Sequence, residues 1–187
     1  MDAQGVGARC VMADPTACIG CKTCMAACLA KHDVTGDVAQ ARLNVISTAV
    51  VSAPVACRHC TGAPCASVCP THALYKDGDR VAVETSRCIG CRGCVMACPF
   101  GAVDVVMQTT TETLGNLVLR SVQRPIVVKC DLCADRPGGP ACVEACPTKG
   151  LFVVDQQKLA DKVREKRREA ASTSTLGVCA SVECVSA

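Results

Sequence analysis

Four cysteine runs restrict what this chain can fold into more than any other feature. The first reads Cys18-Ile-Gly-Cys21-Lys-Thr-Cys24-Met-Ala-Ala-Cys28, a C-x2-C-x2-C-x3-C spacing, and the third, Cys88-Ile-Gly-Cys91-Arg-Gly-Cys94-Val-Met-Ala-Cys98-Pro99, repeats it. The second is Cys57-x2-Cys60-x4-Cys65-x3-Cys69-Pro70 and the fourth Cys130-x2-Cys133-x8-Cys142-x3-Cys146-Pro147, each wider only before its third cysteine. Three thiolates on a tight loop can wrap one face of a cubane [4Fe-4S] cluster while backbone N–H groups point at its sulfurs. The next three residues begin a helical turn that carries the fourth cysteine away from that cubane and towards a second one. Gly20 and Gly90 let the backbone come close, and Pro70, Pro99 and Pro147 redirect the chain after the turn. The first run has Leu29 where the others have Pro, which predicts a helix continuing through Cys28 to about His32. Structural zinc, the main rival, has no need of this three-plus-one pattern, and four such runs predict four [4Fe-4S] clusters on sixteen of the nineteen cysteines.

The composition agrees. Half of the 187 residues are apolar, yet the only aromatics are Tyr75, Phe100 and Phe152, so an ordinary core would be poor and inorganic cofactors are expected to fill it. Cysteine at this density means either a secreted disulfide scaffold or a metal protein of a reducing compartment. Residues 1–9 (MDAQGVGAR) contain no apolar export segment and no twin arginine, and residues 44–56 (NVISTAVVSAPVA) are too short and polar to span a bilayer; the expectation is a cytoplasmic protein without its own anchor. The formal charge of +3 counts every cysteine as a neutral thiol. Each oxidised cluster with its four thiolates carries about −2, which moves the total to about −5 and removes any basic signal for nucleic acid.

The residues outside the runs read more plainly. Cys10 is expected to be a small buried hydrophobe, and Cys179 and Cys184, at C-x4-C spacing, belong to a terminal tail without clear pattern. Lys22, Arg58, Arg92, Lys129 and Lys149 sit in or beside the runs, either as solvated loop residues or as charges that raise cluster potentials. Ile19, Ile89 and Phe100 suit apolar shielding of clusters. His32, His59 and His72 form no base-and-nucleophile set and are expected at the surface or in hydrogen bonds.

Short strands are predicted at 9–13, 41–46, 73–76, 80–84, 102–107, 126–129 and 151–154, with a hairpin about Asp77-Gly78-Asp79, a polar insertion loop over 108–122 and a charged helix over 156–171. This is an α+β ferredoxin-type order. Cys18 and Cys88 are 70 positions apart, and Cys57 and Cys130 are 73 apart, which points to a duplicated two-run unit. Duplication alone suggests tandem pairing of the first run with the second and the third with the fourth. The single hairpin between the second and third runs favours instead a nested arrangement, in which the first run meets the fourth.

The stretches ACRHCTGAPCASVCP, CIGCRGCVMACPFGA and KCDLCADRPGGPACVEACPTKGL resemble the four-cluster ferredoxin-like subunit of molybdopterin oxidoreductases, most of all the iron-sulfur subunit of formate hydrogenlyase and formate dehydrogenase systems. The resemblance covers about residues 12–158. It implies two interleaved bacterial 2[4Fe-4S] ferredoxin-like units, one from residues 1–50 together with 123–160 and one inserted at 51–107; the helix and tail over 156–187 are read from the residues alone, and the tail beyond about Ala171 has no counterpart in the resemblance. It also implies nested ligand sets: Cys18, Cys21, Cys24 with Cys146; Cys130, Cys133, Cys142 with Cys28; Cys57, Cys60, Cys65 with Cys98; and Cys88, Cys91, Cys94 with Cys69.

The function expected from this is a non-catalytic relay. It would pass single electrons from a catalytic molybdopterin subunit, such as a molybdenum or tungsten formate dehydrogenase, to a second redox partner such as a hydrogenase. The alternatives are an assembly scaffold of such a complex and an enzyme in its own right. Against the enzyme stand the absence of a glycine-rich dinucleotide fingerprint and the full use of each run for ligation.

Overall fold

The computed structural model describes residues 9–32, 40–115 and 117–177; Cys179, Cys184 and the tail assigned to them lie outside the described residues. Every sheet in the described residues is two-stranded. β1 (Arg9–Ala13) pairs antiparallel with β8 (Leu151–Asp155), placing Val11 opposite Val153. β2 (Leu43–Ser47) pairs with β3 (Ser52–Ala56), β4 (Leu74–Asp77) with β5 (Arg80–Val83), and β6 (Val103–Leu114) with β7 (Leu117–Lys129). The β4–β5 hairpin turns at Gly78-Asp79, where Gly78 has φ +58°. β3 is absent from the expected strands, because Pro54 within it argues against one; an isolated pair tolerates it opposite Val45.

The helices follow the cysteine runs. α1 (Thr23–Lys31) puts Cys24 and Cys28 on one buried face, four residues apart. Without a proline after Cys28 it runs on to His32, whose N–H bonds the Cys28 carbonyl. α2 (Pro64–Ser67), α3 (Gly93–Ala97) and α4 (Ala141–Glu144) are single turns stopped before Cys-Pro pairs. α5 (Gln156–Gly177) starts on Asp155, whose Oδ1 accepts the N–H groups of Gln157 and Lys158 at 3.0 and 3.2 Å. It is longer than the charge pattern predicts, because Ala- and Ser-rich residues continue it.

Of residues 108–122, expected as an insertion loop, 108–114 and 117–122 are instead the distal part of the β6–β7 ribbon, with a bulge at Glu112/Thr113. Its run of threonines is polar but β-branched, and strand geometry suits such side chains.

α1 packs against α4, and α2 against α3. Two buried clusters result. One joins Val11, Leu43, Ala56 and Leu151 to Cys24, Cys28, Cys57, Cys130 and Cys142; the other joins Leu74, Val81, Val103, Val105 and Val127 to Cys65 and Cys94. Ion pairs Lys31–Asp135 and Arg42–Asp131, both 2.6 Å, tie α1 and its exit to the fourth run, and Arg9–Asp79 at 2.9 Å ties β1 to the β4–β5 turn.

Candidate metal centres

The loops before α1 and α3 share one backbone device. Gly20 and Lys22 have φ +70° and +60°, and Gly90 and Arg92 have +75° and +58°. Alternating left-handed residues turn successive N–H groups inward, the arrangement that suits a concentrated anion. A Cβ on Gly90 would stand 3.1 Å from the ring Cβ of Pro125, and one on Gly20 would stand 3.1 Å from the Ser52 hydroxyl. The proline is held in β7, whereas the serine hydroxyl can rotate. Gly90→Ala should therefore cost about 1–3 kcal/mol and Gly20→Ala less, read as a lower temperature of visible-absorbance bleaching in the iron-loaded protein.

The sixteen motif cysteines are all free thiols in the described structure, and they converge in sets drawn from distant parts of the chain. Cys18, Cys21 and Cys24 line one cavity, partly open to solvent, together with Cys146, with walls including Ile19, Val45 and Pro54. Cys88, Cys91 and Cys94 line a second of the same kind together with Cys69 and Ile89. Cys142 has the thiols of Cys28 and Cys133 as electrostatic neighbours, and Cys130 has Cys142. Cys57 neighbours Cys98 and Cys60, and Cys65 neighbours Cys57 and Cys98. The Arg58 guanidinium lies 4.7 Å over the Phe100 ring, so the turn after Cys98 rests on the second run.

Burial grades the sets. Cys28, Cys130, Cys133 and Cys142 are all buried; Cys57 and Cys65 are buried with Cys60 and Cys98 half-buried; and the other two sets each hold one buried thiol, Cys24 or Cys94, and one exposed thiol, Cys21 or Cys91. Burial pushes the thiols of Cys130 and Cys142 up to about 12. Such thiols are neutral at pH 7 unless a cation replaces the proton, as iron does on binding.

Donors surround the sulfurs. Backbone N–H groups of Arg42, Ala102 and Leu132 reach the Sγ atoms of Cys28, Cys98 and Cys130 at 3.3, 3.4 and 3.5 Å. The Thr23 hydroxyl donates to Cys21 Sγ at 3.3 Å and, with the Thr23 N–H, holds that thiol below its ordinary value. Thr71 and Thr148 stand 3.7 and 3.5 Å from the Sγ of Cys69 and Cys146. Some burial of those two thiols is outweighed by hydrogen bonds, so both fall below the ordinary value. Four thiols per set, apolar walls and N–H groups aimed at sulfur fit [4Fe-4S] clusters.

Sequence reasoning missed several of these partners. The repeated Cys-Pro-Thr at 69–71 and 146–148 was an available signal for the threonines. Of the two expectations for His59, surface or hydrogen bond, the second holds: it is fully buried, its Nδ1 accepting the Val81 N–H at 3.0 Å. Lys129 is not a solvated loop residue, being 2% exposed. Its position two residues after buried Val127 on β7 was the signal, since both share the inward face. His32 Nε2 lies 3.9 Å from Cys133 Sγ and 3.4 Å from Asp131 Oδ1, a trio in reach of a metal ion. Cys10 is buried, as expected of it. Ile19 and Ile89 line the two cavities while remaining 68% and 63% exposed, and His72 is exposed.

Short strands, single-turn helices and cysteine loops of this kind define ferredoxin-like iron-sulfur domains. Two family models described as 4Fe-4S dicluster domains match, over residues 48–156 and 17–74, and the chain belongs to this 4Fe-4S dicluster family. It is 42% identical over 170 residues to electron transport protein HydN of Escherichia coli K12, covering 87% of this chain and 97% of that protein. It is 38% identical over 188 residues to formate hydrogenlyase subunit 2 of the same strain, covering 90% and 92%. Hydrogenase-4 component A, also of that strain, is 38% identical over 186 residues, covering 88% and 91%. No helix among the described residues is long and apolar enough to cross a membrane.

Proposed function

We propose that this chain is a non-catalytic electron-transfer subunit that holds four [4Fe-4S] clusters on its sixteen motif cysteines. The observation that carries the reading is the convergence of distant runs, Cys146 beside Cys18, Cys21 and Cys24, and Cys69 beside Cys88, Cys91 and Cys94. The two remaining sets are Cys28 with Cys130, Cys133 and Cys142, and Cys98 with Cys57, Cys60 and Cys65. Nested sets of this kind describe two interleaved ferredoxin units, residues 1–50 with 123–160 around an inserted 51–107, with the distal β6–β7 ribbon and helix α5 outside them. Each bound cluster would take up and release one electron.

The protein's own residues give the row an order. Cys142 has Cys24 as a further electrostatic neighbour, which sets the first-run cavity beside the fourth-run set. Lys129, preceding Cys130, has Cys57 and Cys65 as neighbours, which sets the fourth-run set beside the second. α2 packs on α3, which joins the second run to the third. These neighbours support a row that runs from the cavity at exposed Cys21, through two sets with buried thiols, to the cavity at exposed Cys91. The exposed ends suit electron exchange with partners and the buried middle suits relay. His32 and Asp131 act as outer partners of Cys133 rather than as a separate metal site, because Cys133 is committed to its set.

The names of the relatives, an electron transport protein and subunits of hydrogenase and formate hydrogenlyase systems, support this role. The complex is read as cytoplasmic and, as the resemblance of the cysteine runs implies, has a molybdopterin-type formate dehydrogenase supplying electrons and a hydrogenase or another iron-sulfur subunit receiving them. Anaerobically purified protein should contain about sixteen iron and sixteen acid-labile sulfide per chain, and dithionite should bring four one-electron centres into its paramagnetic resonance spectrum. Half that iron in fully folded protein, or formate or hydrogen turnover by the isolated chain, would overturn the proposal.

A further inference from the structure

Lys129 ends β7 and is almost wholly buried, yet it makes no ion pair among the described residues. Its Nζ donates to the carbonyls of Val81 at 2.5 Å and Cys130 at 2.7 Å. Neutral carbonyls alone compensate poorly for taking an ammonium out of water. The groups around that ammonium are the thiols of Cys57 and Cys65 from one set and Cys130 from another, with Asp131 beyond.

His59 stands on the same peptide. The Val81 N–H that it accepts and the Val81 carbonyl that Lys129 binds belong to one residue, so Val81 is the pivot of a buried polar island. Because Nδ1 accepts, Nε2 carries the proton of the neutral ring. Among the described residues that buried Nε2 has no hydrogen-bond partner. A cation without a carboxylate and a donor without an acceptor, side by side in an apolar interior, are the two things an anionic group would satisfy. For Lys129, the thiols of Cys57, Cys65 and Cys130 are where that anion would arise once they are ionised by iron.

We infer that Lys129 is a fixed counter-charge shared by the two inner metal sites, the Cys57, Cys60, Cys65, Cys98 set and the Cys28, Cys130, Cys133, Cys142 set, with His59 as the residue that positions it through Val81. This deepens the relay reading and rests on it. A positive charge held between two sites raises the affinity of both for an electron, because the added negative charge is stabilised where it arrives. Passage between them moves one electron from one site to the other, with no proton transferred and no bond made or broken. The alternative is that Lys129 serves only to cap two carbonyls.

The test is a redox titration followed by paramagnetic resonance on anaerobic, full-length protein, wild type first. Fewer than four couples in the wild type would sink the four-cluster reading, independently of any variant. Given four, Lys129→Met should lower two of them. At fixed ambient potential the reduced-to-oxidised ratio at those two sites should fall at least tenfold, which is 59 mV for a one-electron couple. The other two should stay, and Lys129→Arg should keep all four. A Met variant that loses iron while the Arg variant loads normally with wild-type potentials also supports a requirement for charge. The inference is overturned if all four couples are unchanged in Lys129→Met, if all four shift alike, if Arg shifts as far as Met, or if neither variant loads iron, which would make the side chain's fit the requirement.

Discussion

Stripping iron from this protein should unfold most of it. The expected result is loss of amide protection in β1, β8, β4 and β5 together with collapse of the circular dichroism signal, leaving at most residual helix from α5. The reason is visible in the cores. Of the ten buried residues in the larger cluster, Cys24, Cys28, Cys57, Cys130 and Cys142 make up half, so the thiols and whatever they hold are the interior. Two-stranded sheets are marginal alone, and single-turn helices such as α2 and α4 cannot nucleate without tertiary support. Metal binding is then folding free energy. Any metal-free fold that persists should also be alkali-sensitive. Burial raises Cys130 and Cys142 from an ordinary 9.0 to about 12, so their thiols favour the folded state below pH 9, and that advantage is lost as pH rises towards 12. An apoprotein that kept native protection in β1 and β8 would refute this account.

The second large effect concerns the crossing ligands. Cys146→Ser should damage the same metal centre as Cys24→Ser, although 122 residues separate them, because both line one cavity. Likewise Cys28→Ser should match Cys142→Ser, its electrostatic neighbour, and not Cys24→Ser, its neighbour on α1. Each substitution should remove up to about a quarter of the iron and alter one resonance signal, identically within each pair. Tandem pairing predicts another partner, with Cys69→Ser matching Cys24→Ser. That outcome would reassign the ligand sets while leaving the cluster count in place.

Much of this architecture is legible in the amino-acid sequence. Cysteine spacing is a local property that a loop and one helical turn enforce, so the runs, β1, the β4–β5 hairpin and the absence of an early stop after Cys28 can all be read directly. Long-range features are less accessible. β3 hides behind Pro54, and the ribbon of β6 and β7 hides behind polar threonines, because partner strands rather than hydrophobic alternation decide both. The polar groups are hardest. Lys129 closes a predicted strand and His59 lies inside a cysteine run, but what each side chain meets is a long-range matter: β7 turns one inward and the Val81 peptide claims the other.

The pairing of β1 with β8 carries a consequence for biosynthesis. Val11 waits for Val153, and the cavity begun by Cys18 is completed by Cys146, 128 residues later. At the usual pace of translation that interval lasts roughly 6–25 s, during which the ribosome has already released both inner runs. Under the proposed nested arrangement the inserted unit can close first, on Cys57 to Cys98, while the outer unit remains open at its seam. A nascent chain of this design must therefore be shielded from oxidants at its amino-terminal thiols until its last strand emerges.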